Sequence, residues 1–145
     1  MRQQIGDRAG EAATWHQLAT IDLLRGDYDA VRQKFETALK IMQQIGDRAG
    51  EGATFFQLGQ LAAKQGRSAE GTRLVALCYM IDASIGHGDT ESDLQSLSKM
   101  ASQIQYTQEQ FDAMLSEVQK SYQCDRGWSL IEAAFADPAP DPDKV

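Results

Sequence analysis

The residues able to act as catalysts or metal ligands are few, and their spacing does not gather them. The two histidines, His16 and His87, lie far apart in the chain. The two cysteines, Cys78 and Cys124, form no CxxC pair, so neither a zinc knuckle nor a redox couple is written. Both read as small buried packing residues of a reduced, cytoplasmic protein. Carboxylates in pairs could do general acid–base work, and Asp7 with Glu11 and Asp47 with Glu51 are the obvious pairs. They recur one repeat apart, however, which points to structural roles. Asp7 and Asp47 suit helix N-caps, and Glu11 and Glu51 suit first turns, where the helix dipole favours negative charge. No glycine-rich phosphate loop, HExxH or GxSxG is present. Gly86-His87-Gly88 is too short to cradle a phosphate and reads as a flexible turn. The expectation is a protein without catalytic residues, metal or cofactor.

What the chain does contain is a repeat. Residues 3–14 read QQIGDRAGEAAT and residues 43–54 read QQIGDRAGEGAT, so only Ala12 and Gly52 differ. Gln17/Gln57, Leu18/Leu58 and Gly26/Gly66 extend the match at the same offset of 40. A period of this length means stacked supersecondary units, each unable to bury its apolar face alone.

The unit is a helix pair. All three prolines lie in the last eight residues, so nothing earlier interrupts a helix. Tyr28, Val31, Phe35, Ala38, Met42 and Ile45 recur at three- and four-residue spacing, one face of a helix. Gly46 then suits a helix C-terminus and Asp47 the next N-cap. Gly6-Asp7 repeats that junction one period earlier. A second stripe, Trp15, Leu18 and Ala19, ends near Arg25-Gly26-Asp27. The pattern predicts helix, tight turn, helix and Gly-Asp turn in every 40 residues.

These features resemble a tetratricopeptide repeat. Trp15-His16-Gln17-Leu18-Ala19 and Phe55-Phe56-Gln57-Leu58-Gly59 fit the first-helix motif of that family. Gly26-Asp27-Tyr28-Asp29 fits its inter-helix turn. Val31, Phe35 and Ala38 fit its second helix, and Gly71, Val75 and Cys78 are the weaker second copy. The family's tyrosine is replaced by Asp22 and Ala62, and its terminal proline is absent. HEAT and armadillo repeats share the period but do not account for the Leu-Gly pair or the Gly-Asp-Tyr turn. A period of 40 is similar to the longer, kinesin-light-chain-like branch. The resemblance implies an all-α, right-handed solenoid of antiparallel helix pairs over residues 1–85. Trp15 and Phe55 then fill equivalent slots between the helices of their own repeats.

The resemblance also implies that first helices line a concave, partner-facing surface. Its partner-facing positions map to His16, Gln17, Thr20 and Leu24 in the first repeat, and to Phe56, Gln57, Gln60 and Lys64 in the second. The spacing puts His16, Thr20 and Leu24 on one helix face, and Phe56, Gln60 and Lys64 likewise. Gln17 and Gln57 carry both a donor and an acceptor for an extended backbone. The two repeats are expected to set these amides side by side, with Phe56 as the apolar contact.

Residues 86–136 read as a divergent helical pair and a short capping helix. Thr90-Glu91-Ser92-Asp93 looks like a capped start, followed by an apolar stripe of Leu94, Leu97, Ala101 and Ile104. Thr107 and Gln110 fit a capping box, followed by Phe111, Met114, Leu115, Val118 and Tyr122. Trp128 to Ala136 form the last short helix, and the acidic, proline-rich residues 137–145 read as a disordered tail. Met1 to Ile5 match Ile41 to Ile45, so the chain reads as starting mid-repeat, as the C-terminal part of a longer array. That start would leave an apolar edge suited to a homodimer.

Charge narrows the partners. The chain has 145 residues and net charge −7. Residues 1–80 hold 10 basic and 9 acidic side chains, whereas residues 81–145 hold 4 and 12. This argues against nucleic acid, whose phosphates need a basic face, and toward proteins or peptides with basic residues. No stretch approaches the roughly 18 apolar residues of a membrane span. The expected function is a non-enzymatic protein- or peptide-binding scaffold. The alternatives are a structural, self-assembling module and a sensor segment of a larger signalling protein or enzyme.

Overall fold

The computed structural model describes residues 5–136. Residues 1–4 and the proline-rich tail lie outside that range, as do the readings made on them. Among the described residues seven helices follow one another: α1 (Ile5–Arg25), α2 (Tyr28–Ile45), α3 (Arg48–Lys64), α4 (Ser68–Ile85), α5 (Thr90–Gln103), α6 (Gln108–Asp125) and α7 (Trp128–Phe135). Among the described residues there is no strand, and no helix is long and apolar enough to cross a membrane.

The turns explain the period. Gly26, Gly46, Gly66 and Gly86 all have φ between 68° and 86°, the left-handed region open to glycine, so a helix ends at every twentieth residue. Asp27 and Asp47 then cap α2 and α3, accepting from the backbone N–H groups of Ala30 and Gly50. The expected cap at Asp7 does not form. α1 runs straight through Gly6-Asp7, with Asp7 inside its first turn. At Gly46 the preceding helix is anchored by Ile41 and Met42, and the chain must reverse to lay α3 on α2. Among the described residues no packed helix precedes Gly6, so nothing demands a reversal there.

α1 pairs with α2 and α3 with α4, and α2 against α3 stacks the pairs. The second pair is the tighter. At its crossing Gly59 and Gly71 face each other, and a Cβ on Gly59 would lie 2.7 Å from the Gly71 carbonyl oxygen. The counterparts one period earlier are Ala19 and Val31.

α5 and α6 do not repeat the antiparallel pairing. Each packs on α4, and α7 packs on α4, α6 and α3. Thr107 and Gln110 form the expected capping box of α6. Leu97 and Ala101 of the stripe expected on α5 are buried, but its first position is not. Leu94 is exposed, while Asp93, Leu97 and Ala101 are buried. Cys124, expected to be buried, is exposed.

Polar anchors fix the C-terminal helices in place. Glu51 at the start of α3 is fully buried. It accepts from the Tyr122 hydroxyl at 2.7 Å and from Arg126 Nη2 at 3.3 Å. Trp128 Nε1 donates to Gln43 Oε1 on α2 at 2.9 Å, and Arg32 and Arg67 donate to carbonyls at the end of α7.

Trp15 and Phe55 occupy corresponding positions with different burial. Phe55 is wholly enclosed in the main core. Trp15 is half-buried against Ala12, Ala38, Ile41 and Met42. The difference is the neighbour: the α6–α7 turn closes on Phe55, where a Cβ on Gly127 would lie 3.0 Å from its Cζ, whereas the described core neighbours of Trp15 all belong to α1 and α2. Phe55→Ala is therefore expected to cost about 3–5 kcal/mol and Trp15→Ala less than half of that, measured by denaturant unfolding.

Candidate functional site

The family-derived positions separate in space according to what packs on each first helix. On α1, Gln17, Thr20 and Leu24 are exposed, and the Thr20 hydroxyl bonds back to the His16 carbonyl. His16 turns inward. Its ring meets Phe35 edge-on, with centroids 4.9 Å apart, and burial lowers its pKa. On α3, Phe56, Gln57 and Gln60 are half-buried and Lys64 is exposed. Gln60 reaches toward Met100 of α5.

Phe56 and Gln57 form one wall of a cavity of about 360 Å³ between α3, α4 and α5. Its floor is polar. Cys78 and Asp82 project from one face of α4, one turn apart, and Asp93 projects from α5. Asp82 and Asp93 are 5% and 7% exposed. The Cys78 thiol donates to Asp82 Oδ2 at 3.7 Å, while Asp93 Oδ2 is enclosed without a hydrogen-bond partner. His87 and Asp89 stand at the rim, with His87 Nδ1 4.0 Å from Asp82 Oδ2 and accepting from the Asp89 N–H.

This is an electrostatically unfavourable arrangement. Burial, then hydrogen bonding and repulsion from Asp82, push the Asp93 carboxyl up to about 7. Burial and the two carboxylates push the Cys78 thiol well up. Cys78, Asp82 and Asp93 offer ligand atoms within 4.8 Å of one another, a spread a cation can bridge. The thiolate that a soft metal would need is strongly disfavoured here before any cation arrives.

Sequence reasoning passed over Asp82 and Asp93 and read Cys78 as packing alone. One signal lay in the repeat alignment. In the first repeat, Ala12, Ala38 and Met42 cluster together. Their counterparts are Gly52, Cys78 and Asp82. A Cβ on Gly52 would lie 3.0 Å from Asp82 Oδ1, so the glycine makes room for the carboxylate. The single difference within the duplicated dodecapeptide belongs to this site.

The comparisons with known proteins agree with the repeat architecture. Residues 10–70 match the family model of the tetratricopeptide repeat. Over that stretch the chain is similar to tetratricopeptide repeats. Neither the curated proteins nor the solved structures yielded a match. Tetratricopeptide repeats are in general protein–protein interaction scaffolds, and the stretch matched includes α2, α3 and the Phe56–Gln57 wall of the cavity.

A group whose pKa is raised on folding contributes stability at low pH that is lost as pH climbs through the folded value. For Asp93 that window runs from the ordinary carboxylate range up to about 7. Asp93→Asn should therefore remove part of the loss of stability between acid and alkaline pH. At about pH 8 the variant is expected to exceed the wild type by more than about 1 kcal/mol in urea unfolding, with the gap closing toward about pH 4. A gap that is the same at both ends would contradict the assignment.

Proposed function

We propose that the chain is a non-enzymatic scaffold that holds an extended segment of another protein against the first helices of its repeats. The observation that carries this reading is the placement of Phe56 and Gln57, side by side on the wall of an open cavity. An aromatic face and an amide with both donor and acceptor are what a peptide backbone and its side chains can use. Gln17, Thr20 and Leu24 on α1 are exposed and extend the surface by one repeat. His16, packed on Phe35, supports α1 in this reading, and Gln60 and Lys64 border the α3 part. The excess of acid in the C-terminal half favours basic partners through encounter rate. A cytoplasmic location belongs to the same reading, supported by two unpaired cysteines. Each neutral hydrogen bond adds about 0.5–1.5 kcal/mol, so two repeats support affinities in the micromolar class.

A second reading, self-assembly, rests on α1. Leu18, Ile21 and Leu24 are 40%, 45% and 85% exposed, whereas Leu58 and Leu61, counterparts of the first two, are buried. This uncovered stripe suits pairing with another helix. Sedimentation velocity separates the readings. Self-assembly predicts dimers that Leu18→Ser/Ile21→Ser abolishes, and a monomer across the whole concentration range counts against it.

The scaffold reading is tested by affinity capture with the wild type and a Gln17→Ala/Phe56→Ala/Gln57→Ala variant of unchanged helicity. Partners held by the groove should be depleted about tenfold or more by the triple change. Equal recovery of every partner by both proteins would remove these residues from the site.

A further inference from the structure

We propose that the cavity between α3, α4 and α5 is a binding site for a primary ammonium group, the side chain of a lysine in the segment the scaffold holds. The identification of the carrier as a bound segment rests on the scaffold reading. The ammonium chemistry rests on the cavity itself.

Two acidic side chains, each more than nine-tenths buried, meet at the cavity floor, and no lysine or arginine among the described residues lines it. The charged or titratable groups facing them are Cys78 on α4 and His87 and Asp89 on the α4–α5 connection. None is a permanent cation. Asp93 Oδ2 has no donor within hydrogen-bond distance, and the groups beside its carboxyl are Asp82 and Cys78. Ionising two buried carboxyls side by side is costly, and a cation entering the cavity would offset that cost.

Three features select an ammonium group. The acceptor atoms of Cys78, Asp82 and Asp93 all lie within 4.8 Å, a compact target for three N–H donors radiating from one atom. A planar guanidinium confines its donors to one plane, whereas these acceptors come from three side chains on two helices. Phe56 on the wall can lie along an alkyl stem or offer its ring face to the charge, and the Gln57 amide supplies another acceptor. A divalent metal fits less well. His87 Nδ1 is occupied as an acceptor, and the Cys78 thiol lies between carboxylates that hold its proton.

The first repeat serves as an internal control. There the corresponding cluster of Ala12, Ala38 and Met42 is apolar. In the second repeat all three positions differ, and the loss of the Cβ at Gly52 leaves the space that the Asp82 carboxylate occupies. The acid is thus accommodated by its own surroundings rather than being an isolated surface charge.

The test uses the full chain, nitrogen-15 labelled, titrated with two capped pentapeptides. Both have two alanines on each side of a central residue, which is lysine in one and norleucine, the same four-carbon stem without the nitrogen, in the other. The lysine peptide should shift the amide resonances of Gln57, Cys78, Asp82 and Asp93, and bind at least about tenfold more tightly than the norleucine peptide. Asp82→Asn and Asp93→Asn, isosteric changes checked by circular dichroism, should each abolish that preference. Equal binding of the two peptides would overturn the proposal. So would zinc ion binding at the same resonances that lysine peptide does not displace and Cys78→Ala abolishes. If the peptides bind equally while Gln17, Phe56 and Gln57 still govern partner capture, the scaffold reading stands and the ammonium site falls. If the lysine preference holds while capture ignores those three residues, the ammonium site stands and the scaffold reading falls.

Discussion

α4 has no free apolar face, and the rest of the structure follows from covering it. Leu74, Val75, Ala76, Leu77, Cys78 and Ile81 are all buried, so apolar side chains surround the helix axis instead of forming one stripe. A helix of that kind is stable only when neighbours enclose it. α3 does so from its own repeat, α5 from the next turn, and α6 and α7 by folding back across it. The antiparallel pairing of the first four helices therefore gives way to convergence on α4. Gly127, at the α6–α7 turn, shows how close the approach is, because a Cβ there would lie 2.7 Å from Leu77 Cδ1.

Near-identical segments behave differently on the two sides of this core. Glu11 is exposed, whereas Glu51 is fully buried and receives Tyr122 and Arg126. Thr14 is exposed, whereas Thr54 is buried with its hydroxyl bonded to the Gly50 carbonyl. Leu18 is open and Leu58 is closed. The local chemistry is the same in each pair. The neighbouring element decides whether a carboxylate is solvated by water or by a phenol and a guanidinium.

The acidic cavity arises from the same convergence. α5 stacks on α4 much as α3 stacks on α2, while α6 and α7 also pack on α4. α5 docks with Asp93 inward and Leu94 outward, and the inward acid meets Asp82. A recognition scaffold gains from such a place. Repeats supply a long surface of modest affinity, and one desolvated charged pocket can supply discrimination between partners.

The helix count, the turn positions and the pairing of the first four helices were legible in the residues, because periodicity, turn glycines and capping side chains act over a few residues at a time. So were the α6 capping box and the buried stripe of α2. Phe56 and Gln57 were legible as surface candidates through their register in the repeat. The inward rotation of His16, the unformed cap at Asp7, the exposure of Cys124 and the burial of Asp93 in place of Leu94 on α5 were not. Each depends on which distant helix lies alongside, and burial is a property of the pair rather than of either helix. The Asp82–Asp93 meeting is the clearest case. One acid lies on α4 and the other on α5, and only the folding of α5 onto α4 creates the field in which an ordinary carboxyl holds its proton to about 7.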